Sequence, residues 1–94
     1  MNVILKPEAE ETVSEICEFI DSVNTEDSGE RWLDKLSAFL VSYAKSNVQY
    51  ALCHNDSFAA AGLSCITYNG WVKAFRIEED EFVVYQIVRG NILL

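Results

Sequence analysis

Asn69-Gly70 stands between two runs rich in β-branched and aromatic residues, Leu63 to Tyr68 and Trp71 to Ile77, and no other feature restricts the fold of this chain as strongly. A tight two-residue hairpin turn needs positive φ angles, which asparagine and glycine tolerate, so an antiparallel hairpin with Tyr68 opposite Trp71 is predicted. A third run, Phe82 to Val88, follows the acidic stretch Glu78-Glu79-Asp80-Glu81. We read that stretch as a solvated four-residue loop rather than a metal site, which sets Ile77 opposite Phe82 and completes a three-stranded meander.

The other half of the chain carries a helical period. Val3-Ile4-Leu5 is a short β-type run that stops at Lys6-Pro7, where proline removes a backbone donor and fixes a φ suited to a first helical turn. Glu8, Glu10 and Glu11 place negative charge at the favourable end of the helix dipole, and Ala9, Val13, Ile16, Cys17, Ile20 and Val23 recur at helical spacing. Helix one is expected over about 7 to 23. Asn24 suits a left-handed cap and Thr25 suits the start of a second helix, in which Trp32, Leu33, Leu36, Phe39, Leu40 and Tyr43 form the apolar stripe and which ends near Ser46-Asn47. Residues 47 to 62 have no clear period and read as a loop, with Ala59 to Ala61 able to add a helical turn.

These elements give an α+β domain, β-α-α-β-β-β, with a two-helix hairpin packed on one face of a mainly antiparallel four-stranded sheet. The 94 residues fit a single domain, 1 to 94, and the 50% that are apolar or aromatic suffice for one core. No stretch approaches the roughly 20 apolar residues that cross a bilayer, so a cytoplasmic protein with no membrane partner is expected. The net charge of −8 repels phosphate backbones and disfavours strong direct nucleic-acid binding. Cys17, Cys53 and Cys65 lack a C-x-x-C spacing, so they are expected to remain unbridged and to bind no metal. His54 beside Cys53 reads as a structural residue, and no cofactor is implied.

Strand parity sorts the side chains. Trp71, Lys73, Phe75, Ile77, Phe82, Val84, Gln86 and Val88 would face the helices, with Lys73 opposite Gln86 and both polar ends reaching the sheet margin. Val72, Arg76, Val83, Tyr85, Ile87 and Arg89 would share the other face, which two helices cannot cover. An exposed apolar face with a few polar anchors suits a contact site, so these six residues are the candidate binding residues and none is assigned a catalytic role. A second copy of the chain, as a homodimer, or the last residues, Asn91 to Leu94, would be another cover for the same face.

Val3-Ile4-Leu5-Lys6-Pro7-Glu8-Ala9, Glu15 to Ile20, Arg31 to Leu36, Gly70 to Ile77 and Val83 to Gly90 resemble, in order, the segments of the RelE/ParE superfamily of bacterial toxins. The resemblance runs nearly end to end. It implies the toxin of a type II toxin–antitoxin (plasmid stabilisation) module, neutralised by a cognate antitoxin whose helix and extended segment wrap it. RelE-type members are ribosome-dependent mRNA endonucleases with basic and tyrosine side chains on the open sheet face. Here Leu63, Cys65 and Val72 stand where such enzymes tend to carry lysine or arginine, and Asn91 to Leu94 replaces a basic tail. RNA cleavage needs groups to activate the 2′-OH, protonate the leaving oxygen and offset phosphate charge. The resemblance therefore implies a ParE-like toxin that binds a protein, DNA gyrase in that family. The alternatives are a RelE-like ribonuclease on the ribosome and an inactive relative that serves as a binding module.

Overall fold

The computed structural model describes residues 2–24, 27–44, 50–68 and 70–89. Thr25, the expected helix end at Ser46-Asn47, Asn69, Gly90 and the tail Asn91 to Leu94 lie outside the described residues. The chain runs through β1 (Asn2–Leu5), α1 (Pro7–Val23), α2 (Ser28–Tyr43), α3 (Asp56–Ala60), β2 (Ser64–Tyr68), β3 (Trp71–Glu78) and β4 (Glu81–Arg89). It is an α+β fold with a four-stranded mixed sheet and two main helices, as the periodicities predict.

Pro7 opens α1 because its missing N–H would be unsatisfied at a helix start, while Lys6 stays extended and donates its N–H to Val84 O at 2.9 Å. Asn24 does not take the left-handed cap expected of it. It is extended, and its backbone N–H and its Nδ2 both donate to Ile20 O. Gly29 lets α2 approach α1 closely, since a Cβ there would stand 2.6 Å from Cys17 O. The Gly29 N–H donates to Asp21 Oδ1 at 2.8 Å, which satisfies one of the open donors at the start of α2.

The strand order is β1-β4-β3-β2, and β1 lies parallel to β4 with Val3 beside Phe82 and Leu5 beside Val84. The β2–β3 pairing sets Tyr68 opposite Trp71 and the β3–β4 pairing sets Ile77 opposite Phe82, both as expected. The acidic connection is tighter than expected: Glu78 pairs with Glu81, and Glu79 (φ 46°) and Asp80 (φ 65°) alone make the turn. Two consecutive left-handed residues match the twist of the flanking strands, so the strands extend by one residue each.

The helix face forms the main core. Ala9, Val13 and Ile16 of α1 and Leu36 and Leu40 of α2 pack on Ile66, Phe75, Phe82, Val84 and Ile87. Phe75 and Phe82 stack with their ring centroids 4.4 Å apart. Burial of this set drives the fold, at about 25 cal/mol per Å² of apolar surface removed from water.

A bulge changes the expected faces. Phe75 pairs with Val84 but Ala74 pairs with Gln86, so Tyr85 is the extra residue on β4. Beyond it the parity reverses. Ile87 joins the helix-face core, Lys73 lies opposite Ile87 rather than Gln86, and Arg89 lies opposite Trp71 on the helix side. Gln86 is exposed at the other face, and Lys73 is not at the sheet margin but 1% exposed.

Two further expectations are corrected. The face opposite the helices is covered in part by the chain itself, since Phe58 of α3 packs with Cys53, Leu63, Ala74, Cys65 and Tyr85 in a second small core. Asn55 fixes α3 by accepting from Phe58 N at 3.1 Å. Cys53 and Cys65, expected as separate thiols, form a disulfide in this structure. The contact that brings them together is tertiary: Leu52 bridges Ser64, and Cys53 N–H donates to Leu63 O, so the loop residue lies along β2. Cys17 is a free, half-buried thiol whose pKa is raised, first by burial and then by Asp21.

Candidate protein-binding site

Arg76 and Glu78 are two residues apart on β3, so their side chains leave the same face, and the bulge at Tyr85 brings the phenol to them. Arg76 Nη2 donates to Glu78 Oε1 at 2.9 Å and to Tyr85 Oη at 3.2 Å. Tyr85 in turn donates its hydroxyl hydrogen to Glu78 Oε2. Arg76 Nη1 donates to Ala61 O at 3.2 Å, which ties the end of the α3 segment to the sheet. Lys6 Nζ lies 5.4 Å from the centre of the Tyr85 ring and Arg76 Cζ lies 5.5 Å from it, so two cations approach one aromatic ring.

The charges reinforce one another. The hydrogen bond to Glu78 and its charge raise the Arg76 pKa further, Tyr85 and then Arg76 hold the Glu78 carboxyl below its usual range, and Glu78 pushes the Tyr85 phenol up. All three groups move away from neutral pH. The cluster presents fixed charge and hydrogen-bonding groups at the sheet face. The side chains of Arg76 and Glu78 are 43% and 35% exposed, so a partner can reach them.

Of the six residues read from the sequence, the structure brings Arg76 and Tyr85 together and separates the rest. Val72 (7% exposed) and Val83 (5%) are buried, so they cannot offer an apolar surface, and Ile87 lies in the core under the helices. Arg89 lies elsewhere, with its guanidinium carbon 4.8 Å from the Trp71 ring centre. There it borders a cleft of about 280 Å³ with Thr12, Glu15, Ile16, Phe19 and Trp71. Phe19, 62% exposed, falls outside the apolar stripe of α1, and Glu78 belongs by sequence only to a solvated turn. The signal for Glu78 was present as its i, i+2 relation to Arg76; Phe19 and Trp71 had none, because their proximity depends on how α1 crosses the sheet.

His54 is exposed, and among the described residues no group of three His, Cys, Asp or Glu side chains could hold a metal ion. No described helix is long and apolar enough to cross a membrane. The fold and these two surfaces define a small α+β domain with a charged cluster on one sheet face and an apolar cleft beside α1. No protein-family model matches the chain, and no curated protein matches it.

Proposed function

We propose that this chain is a RelE/ParE-type toxin that acts in the bacterial cytoplasm by binding a protein, DNA gyrase being the target that the resemblance suggests, and that a cognate antitoxin neutralises it. The observation that supports this reading best is the mutual pairing of Arg76, Glu78 and Tyr85 at the accessible end of the β3–β4 hairpin. Arginine and tyrosine are the side chains most often found as anchors in protein interfaces, and here they are held in place before a partner arrives. The element order, with a helical hairpin on one sheet face, is the order that the resemblance implies. In a reducing cytoplasm Cys53 and Cys65 would stand as paired thiols.

Induced expression in a bacterial host, with growth, mRNA ends and gyrase supercoiling followed together, tests the reading. Growth arrest with intact mRNA and blocked supercoiling supports it, and Arg76→Ala should relieve the block by weakening the contact about 5- to 100-fold. Cleavage of mRNA on translating ribosomes would replace this reading with the ribonuclease one. Normal growth with no effect on either target would leave an inactive relative.

A further inference from the structure

The Cys53–Cys65 bridge closes a ring of chain on the sheet face that carries the Arg76 cluster, and the ring encloses α3. The bonds inside it are local. Asn55 Oδ1 accepts from Phe58 N–H, and at the other end Gly62, at φ 77°, donates its N–H to Ala59 O while Leu63 N–H donates to Phe58 O. α3 is thus capped by its own flanking residues, yet none of its five residues is buried. A helix this short has no stability of its own.

Contacts with the sheet seat the unit. Phe58 packs on the small core of Cys53, Leu63 and Ala74, which Cys65 and Tyr85 also border. Arg76 Nη1 donates to Ala61 O at 3.2 Å, and at the neck of the ring the disulfide joins the bond from Cys53 N–H to Leu63 O. The surface beneath lies beside the charged cluster: Ala74, 1% exposed, is two residues from Arg76 on β3 and pairs with Cys65 on β2. Arg76 Nη2, Glu78 and Tyr85 bond one another without α3, so the cluster would outlast its departure. Cys53 is buried and Cys65 half-buried, so attack on the bridge is expected at Cys65. Disulfides in a reducing cytoplasm, where they occur, serve mostly as exchangeable redox groups.

We propose that Cys53–Cys65 is a thiol–disulfide exchange site. A dithiol reductant opens it, α3 lifts from the sheet, and apolar surface around Ala74 and the Tyr85 ring is added to the charged cluster that a partner meets; the bridged form keeps that surface covered. One thiolate of the reductant attacks Cys65 Sγ, the Sγ–Sγ bond breaks, and Cys53 leaves as a thiolate that takes up a proton. The second thiol of the reductant then displaces Cys65 from the mixed disulfide. The reductant ends as a disulfide, and two electrons and two protons pass to the pair. The opening rests on the fold alone, and what it regulates rests on the reading of the cluster as a protein-binding site.

The test uses the full chain carrying Cys17→Ser, which removes the third thiol, before and after dithiothreitol in the absence of denaturant. Cys53→Ser/Cys65→Ser gives the open form without reductant. Reduction should raise amide exchange at residues 52–63 about 10- to 100-fold while β3 and β4 stay protected. Fluorescence of a hydrophobic dye, anilinonaphthalene sulfonate, should rise with it. The open form should block gyrase supercoiling at about 5- to 50-fold lower concentration than the bridged form. A bridge that resists dithiothreitol until urea unfolds the chain is a structural staple and overturns the proposal. Exchange or dye binding unchanged by reduction, or a rise in exchange shared by β3 and β4, overturns it as well. Equal block of supercoiling by the two forms overturns the regulation. No block by either form, with the opening intact, would overturn the toxin reading alone.

Discussion

Lys73 Nζ lies 5.1 Å from the centre of the Phe39 ring, under α2, and donates to Trp71 O at 3.2 Å. The amine is held in the core, where a ring face and a carbonyl dipole are among the groups that stand in for its hydration. Burial lowers its pKa from 10.5 to about 8. Between those values the unfolded chain binds a proton that the folded chain does not, so this residue makes stability rise with pH across that window. Lys73→Met should therefore stabilise the fold at pH 7, by up to about 3 kcal/mol. Its advantage over the parent should shrink as pH is raised from about 8 toward 10.5. Urea denaturation of both proteins at pH 7 and pH 10 checks this; a difference that stays constant would mean that the amine keeps its proton in the folded state.

Gly29→Ala should destabilise the helical hairpin. The new Cβ would meet Cys17 O at 2.6 Å and Asp21 Oδ1 at 2.9 Å, and the first of these is backbone that cannot swing aside. A loss of about 1–3 kcal/mol is expected, typical of overpacking. Asp21→Ala, which removes the acceptor of the Gly29 N–H, should lose about 1 kcal/mol, and thermal melts of the two variants rank them.

Breaking the Cys53–Cys65 bridge should loosen the segment that carries α3 more than the main core. The sequence separation of 12 residues corresponds to about 3 kcal/mol of loop-closure entropy in the unfolded chain. Intact mass without reductant should be about 2 Da below the all-thiol value, one hydrogen lost per bridged sulfur. After reduction, hydrogen exchange should rise first at residues 52–63, while β4 stays protected.

Glu78→Gln should lower the pKa of Tyr85, because the hydrogen bond to the carboxylate is the main cause that raises it. Conversely, Tyr85→Phe should raise the pKa of Glu78, whose carboxyl is held down first by the phenol and then by Arg76. The depressed carboxyl contributes stability above its unfolded pKa, and this is lost as pH falls through its folded value. NMR titration of the two side chains reads both shifts; unchanged values would mean that the cluster does not persist in solution.

Much of this architecture was legible because it follows local rules. Pro7 marked the strand-to-helix boundary, the stripe from Ala9 to Ile20 marked the face of α1, and Asn69-Gly70 fixed the β2–β3 register. What was not legible depends on tertiary packing. A bulge adds one residue without a sequence signature, so Tyr85 moved every later β4 side chain to the opposite face and split Arg89 from Arg76. The disulfide and the small core around Phe58 required knowing where residues 50–63 settle on the sheet. Glu79-Asp80 carries no glycine, so its two left-handed residues could not be read from composition.

The parallel pairing of β1 with β4 has a consequence for how the protein is made. Asn2 to Leu5 leave the ribosome well before residues 81 to 84, which are their strand neighbours among the described residues. During translation the first strand has no edge to join, and the helical hairpin can form beside it before the sheet exists. Closing the sheet is thus a late, long-range event that joins the two ends of the described chain, and nascent Val3-Ile4-Leu5 is an exposed apolar segment until that moment.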